Sequence, residues 1–132
     1  MNLKNNQGAI YLIAVFLILV SSILVIGFLE VAATDIEISR NHKSDVIATY
    51  IADAGIEDAI YDLLGGGGGD ISRTEFPDTA DNNTYYTVVQ TDVSGSDYTL
   101  ESTGEYGDFQ RVIEAVIRVS GTSATVRSWK EL

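Results

Sequence analysis

The only histidine, His42, stands between Asn41 and Lys43 in a strongly polar stretch. A histidine acting as general base needs an orienting partner and a pocket, and these neighbours predict a solvated side chain instead. Asp78, Asp81, Asn82 and Asn83 form an oxygen-rich loop of the chemistry that Ca²⁺ prefers. The EF-hand spacing and its glycine are absent, so a solvated loop is expected, with Asp78 and Asp81 as the remaining calcium candidates. Gly65 to Gly69 are five consecutive glycines. A phosphate-cradling loop requires Lys and then Ser or Thr after the last glycine, whereas Asp70 and Ile71 follow here. The run reads as a flexible hinge. Asn82-Asn83-Thr84 matches a glycosylation sequon. With no cysteine there is no disulfide. Nothing here predicts an enzyme or a cofactor.

The apolar residues say more than the reactive ones. From Ala9 to Leu29 there are 21 residues without a charged side chain, His, Asn or Gln. A helix of that length rises ~30 Å, about the hydrocarbon thickness of a bilayer. All 19 acidic residues lie at or after Glu30, against seven of the eight basic ones, a net of −12. Only Lys4 precedes the span, which predicts a cytoplasmic N-terminus and a translocated remainder. The acidic surface would repel phosphates, so nucleic acid is not an expected partner.

Beyond Leu29 the pattern stays helical and becomes amphipathic, with a solvated stretch from Glu37 to Asp45. Ala48, Ala52, Gly55, Ile56, Ala59, Ile60, Leu63 and Leu64 then recur at helical spacing as one stripe. Glycine tolerates positive φ, so Gly65 is where the helix should stop. After Asn83 the period becomes two. Tyr98, Leu100, Ser102, Gly104 and Tyr106 alternate with polar residues, as do Phe109, Ile113, Ala115, Ile117 and Val119. A Gly107-Asp108 turn sets Tyr106 against Phe109, Leu100 against Ala115 and Tyr98 against Ile117. A Gly95-Ser96 turn sets Val93 against Tyr98, Thr91 against Leu100 and Tyr85 against Tyr106. A further strand is expected near Ala124 to Trp129. Two awkward placements follow: Glu101 opposite Glu114, and Arg111 on the inward face. The fold class is α+β, a long N-terminal transmembrane and amphipathic helix packed on a three- to four-stranded antiparallel meander. Ala52, Ile56, Ala59, Ile60 and Leu63 are the expected helix–sheet contacts. The divisions are residues 1–8, 9–29, 30–64, a Gly-rich linker and loop at 65–83, and the sheet at 84–132.

Asn6-Gln7-Gly8-Ala9-Ile10-Tyr11-Leu12-Ile13-Ala14-Val15 resembles the processing site of class III prepilins. The resemblance implies a prepilin peptidase cutting between Gly8 and Ala9 on the cytoplasmic side, then N-methylation of Ala9. Tyr50-Ile51-Ala52-Asp53-Ala54-Gly55-Ile56-Glu57-Asp58-Ala59 looks like the Ala-rich segment of PilX-type minor pilins and of the K-type pseudopilin of type II secretion. Ser128-Trp129-Lys130-Glu131 is similar to their common ending. Residues 1–64 carry the likeness, the sheet only its architecture. It implies a pilin-like fold, storage in the inner membrane, and partnership with other pilin or pseudopilin subunits through the N-terminal helix. Most major pilins have glutamate at the fifth mature position. Ile13 stands there, as the acid is commonly lacking in PilX-type and K-type members, which argues for a minor, tip or initiating subunit. Two rival expectations remain. A signal peptidase cutting after Ala33 would release a soluble acidic domain, although a signal h-region is only ~7–15 residues long. A single-pass anchored protein that never polymerises is the other.

Overall fold

The computed structural model describes residues 3–77 and 83–132, with side chains from residue 8 onward. Helix α1 runs from Leu3 to Leu64, 62 residues. Its sequence holds no proline and only isolated glycines, so nothing interrupts its hydrogen bonding. Two compact units divide the chain, Met1–Arg40 and Asn41–Leu132.

The first unit is helix alone. Its apolar side chains from Ile10 to Leu29 are exposed throughout, Tyr11 at 75% and Ile18 at 67%. Ser22 Oγ donates to the Ile18 carbonyl at 2.8 Å and Thr34 Oγ1 to Glu30 at 3.0 Å. Each hydroxyl is thereby satisfied within the helix and asks nothing of its surroundings.

In the second unit the helix from Asn41 onward lies on a sheet. Among the described residues five strands form it: β1 (Ile71–Glu75), β2 (Thr84–Ser94), β3 (Asp97–Tyr106), β4 (Phe109–Ser120) and β5 (Ser123–Glu131). They are antiparallel neighbours in chain order. The architecture is the expected α+β one with more strands: β5 fills the Ala124–Trp129 region, and β1 lies inside the span read as linker. Ile71 is half-buried against the core and so anchors β1 to the sheet.

The β3–β4 register is the expected one, with Tyr106 against Phe109, Leu100 against Ala115 and Tyr98 against Ile117. The β2–β3 register is not. Val93 does pair with Tyr98, but a bulge between Gln90 and Asp92 leaves Thr91 unpaired and puts Gln90 opposite Leu100. One extra residue exchanges the faces of everything before it. Tyr86 and Val88 therefore enter the core, and Tyr85 pairs with Glu105.

Helix and sheet meet along small residues. Ala48, Ala52 and Ala59 are fully buried, with Ile51, Ile56 and Leu63 nearly so; Ile60 is half-buried against the same cluster. They pack on Tyr86, Val88, Leu100, Ile113, Ala115 and Ile117. A Cβ at Gly104 would overlap the backbone of Ala48 and Ala52, so this glycine allows the helix its closest approach. Beside it Ser102 Oγ donates to the Ala52 carbonyl at 2.6 Å, the polar contact buried in this seam.

The helix ends in a Schellman motif. Gly67 N–H donates to Asp62 O at 2.8 Å and Gly66 N–H to Leu63 O at 3.2 Å, with Gly66 at φ 88°. Gly69 is no loose hinge residue. It is buried, its N–H is held by Asp62 Oδ2 at 2.9 Å, and it lies close to Leu63 and Leu100. Of the five glycines Gly69 is thus tied to the core, while Gly65 to Gly68 are exposed.

The edge strands β1 and β5 each carry an irregularity, between Ile71 and Thr74 in one and around Arg127 in the other.

Candidate functional site

Two regions bear on function, one in each unit. In the first, Gly8 and Ala9 are exposed on α1, and a Cβ added at Gly8 would meet nothing. Packing within the folded chain therefore makes no demand for glycine at that position. Ile13 is 60% exposed on the same helix. The helix is long and apolar enough to cross a membrane, its most apolar window reaching a mean hydropathy of 3.1. A single-pass anchor is compatible with this segment.

The second region is a cleft of about 380 Å³ between α1 and β5. The helix supplies His42, Asp45, Val46, Thr49, Tyr50 and Asp53, and β5 supplies Trp129 and Glu131. These helical positions share a face because three- and four-residue spacings stack. The strand residues share one because they are two apart. The pairing of Ala115 with Trp129 and Ile113 with Glu131 aims both at the helix side of the sheet.

Arg111 organises the end of the cleft. It sits on the inward face as anticipated, and Asp45 and Glu131 resolve the difficulty. Its guanidinium hydrogen-bonds Asp45 and stands 3.6 Å from Glu131. That bond holds the Asp45 carboxyl below its ordinary range and raises Arg111 above its own. Thr49 Oγ1 reaches Glu131 at 3.5 Å, and Trp129 Nε1 donates to Asp53 at 3.3 Å. Arg111 thus meets Asp45 and Glu131 while Asp53 accepts from Trp129, and the three carboxylates stand beside the rings of Tyr50 and Trp129. Tyr50 is 70% exposed and Trp129 47%. Such a lining suits a cationic side chain, which carboxylates and aromatic faces both attract.

The opposite face of the sheet is laced by ion pairs. Arg73 meets Glu105 at 2.7 Å and covers the Tyr85 ring, its guanidinium carbon 3.6 Å from the ring centre. Arg118 holds Asp97 through two bonds, at 2.6 and 2.7 Å, which lowers the Asp97 carboxyl's pKa. Glu101 does lie opposite Glu114, and Lys130 relieves that contact by reaching Glu114 at 3.0 Å from β5.

His42, read from sequence as solvated, is exposed and lines the rim of the cleft. Asp78 and Asp81 lie outside the described residues, as does Asn82 of the sequon. Among the described residues no group of three His, Cys, Asp or Glu side chains is placed to hold a metal. Sequence reasoning missed the cleft itself. The β4–β5 register, which brings Trp129 and Glu131 to the helix flank, is what forms it. No protein-family model matches this chain, and no curated protein or solved structure is significantly similar to it.

Proposed function

We propose that this chain is a structural subunit of a type IV pilus-like filament, a minor pilin or pseudopilin that acts in pilus assembly, secretion or adhesion. The observation that carries the reading is the helix from Leu3 to Leu64. Its apolar residues from Ile10 to Leu29 are exposed, and the same helix continues into a packed acidic sheet domain. An exposed apolar helix needs either lipid or other helices around it. An element that exchanges one for the other is what a membrane-stored filament subunit requires. The Asn6–Val15 run adds the resemblance to a prepilin processing site. A prepilin peptidase is then the first partner and other pilins are the later ones. The chain is held in the inner membrane by a single pass with its N-terminus cytoplasmic, and is lifted into an extracellular filament or a pseudopilus. Ile13 favours the tip or initiating position, since a neighbouring subunit's buried amine gains no carboxylate from it.

Mass spectrometry of protein from a peptidase-competent host tests the reading. The expected mature chain begins at methylated Ala9, and a bulky residue at Gly8 blocks the cut. A chain beginning at Thr34 would establish release of a soluble domain. One retaining Met1 would leave a simple anchored protein.

A further inference from the structure

We infer that residues 30–43 of α1 form a hinge, a stretch of helix that opens and recloses by itself while the helix on both sides of it stays formed. The stretch lies between two kinds of support and has neither. Before it, the exposed apolar residues up to Leu29 suit an apolar medium. Charges return at Glu30, Asp35 and Glu37, which such a medium rejects. After it, the sheet's hold begins where Arg111 bonds the Asp45 carboxylate and Ala48 is fully buried. Every side chain from 30 to 43 is exposed, Ile36 at 68% and Ile38 at 61%. The division between the two compact units, after Arg40, falls inside this stretch.

Its own sequence does little to replace that support. Val31, Thr34, Ile36 and Ile38 are β-branched and lose χ1 freedom in a helix. Thr34 Oγ1 bonds the Glu30 carbonyl at 3.0 Å, a contact that slightly weakens and bends helices. Ser39 and Asn41 have side chains that compete for backbone hydrogen bonds. No acidic residue in the stretch stands four before a basic one, and Glu37 with Arg40, three apart, is its single opposite-charge pair at helical spacing. A helix of this length without tertiary packing is marginal in water. The formed helix at either end supplies the nucleus, so an opened stretch recloses within ~0.1–1 μs. Each opened residue lengthens the connection from ~1.5 Å to as much as ~3.3–3.6 Å. The sheet unit is thus carried on a tether that extends and turns. The inference goes beyond the filament reading and holds equally for a polymerising subunit and for a simple anchored protein.

Hydrogen–deuterium exchange of the full chain in detergent micelles, read by mass spectrometry of its peptides, tests the hinge. Amides from 34 to 43 are expected to exchange within about tenfold of an unstructured peptide, and those from 51 to 63 at least about a thousandfold more slowly. Equal protection of the two stretches would overturn the inference. Thr34→Ala, Ser39→Ala and Asn41→Ala together install the best helix former at three exposed positions. This variant is expected to slow exchange from 34 to 43 by about tenfold. The sheet unit's unfolding midpoint, followed by Trp129 fluorescence, should stay where it was. Unchanged exchange in the variant would remove the propensity argument, and a raised midpoint would show that the stretch is coupled to the sheet. Either result overturns the hinge.

Discussion

Gly104→Ala tests whether the helix–sheet seam is governed by backbone approach or by strand preference. Glycine inside a strand is weakening on its own account, so alanine there would ordinarily add about 0.5–1 kcal/mol of stability. At this site the new Cβ overlaps the Ala48 carbonyl and the Ala52 amide. Both are backbone atoms of a packed helix, so no rotamer change removes the overlap. Overpacking of this kind costs about 1–3 kcal/mol. The upper end applies, because pushing the helix outward also stretches the Ser102–Ala52 bond, 2.6 Å in the native seam. The net expectation is a loss of about 2 kcal/mol. In a domain of roughly this size each kcal/mol moves Tm by about 4–8 °C, so the midpoint falls by about 10 °C. The single tryptophan, Trp129, lies where β5 meets the helix and serves as the probe. Thermal and urea unfolding of the full chain in detergent micelles, followed by its fluorescence, gives the number. Gly27→Ala is the control: nothing lies within 4 Å of that position, and the sheet domain's transition should not move. A Gly104→Ala midpoint equal to or above wild type would refute the close-approach argument.

Three further outcomes follow from the same contacts. Ile56→Asp should abolish the cooperative transition, because Ile56 is 3% exposed and an unpaired buried charge costs several kcal/mol, close to a small domain's whole stability; Ile56→Val, costing about 1 kcal/mol, should retain it, and a folded Ile56→Asp chain would place the stripe elsewhere. Asp45 and Asp97 have carboxyls lowered by hydrogen bonds from Arg111 and Arg118, so their contribution is present above the unfolded value near 3.8 and is lost as pH falls through the lower folded values. The urea midpoint should decline below about pH 4, and Arg118→Gln should reduce the Asp97 share of that decline; an identical profile in the variant would show that the pair does not couple to folding. Ile13→Glu should raise the copy number of this chain in sheared filaments counted by quantitative mass spectrometry, and an unchanged count would mean that the missing acid does not set abundance.

What was legible in the sequence was what neighbouring residues dictate. Gly107 and Asp108 define a two-residue turn, and a two-residue turn fixes every pair of β3 and β4 without further knowledge. The same logic at Gly95-Ser96 holds for the first pairs and then fails at Thr91. A bulge leaves alternation intact on either side and is invisible to a period-two reading, so Tyr85 and Tyr86 exchanged faces. Strand β1 was hidden because Ser72, Arg73 and Thr74 have no apolar alternation; β1 is held by pairing to β2, by Ile71 and by the Arg73 contacts to Glu105 and Tyr85. The stripe Ala52, Ile56, Ala59 and Leu63 was readable from helical spacing, but Ile51, which lies at its margin, is buried in the same cluster. The cleft joins Asp45 to Glu131 across most of the domain, and only the folded β4–β5 register makes them neighbours.

The two irregular edge strands bear on how such a domain tolerates crowding. A chain confined to a surface meets its own kind at a far higher local concentration than one diffusing freely. Regular, flat sheet edges at that density would template one another and zip into cross-β aggregates. The break between Ile71 and Thr74 spoils one edge, and the extra residue Arg127 spoils the other. Edges broken in this way give no regular template for strand addition, so contacts between copies of such a domain fall to side chains and helices instead.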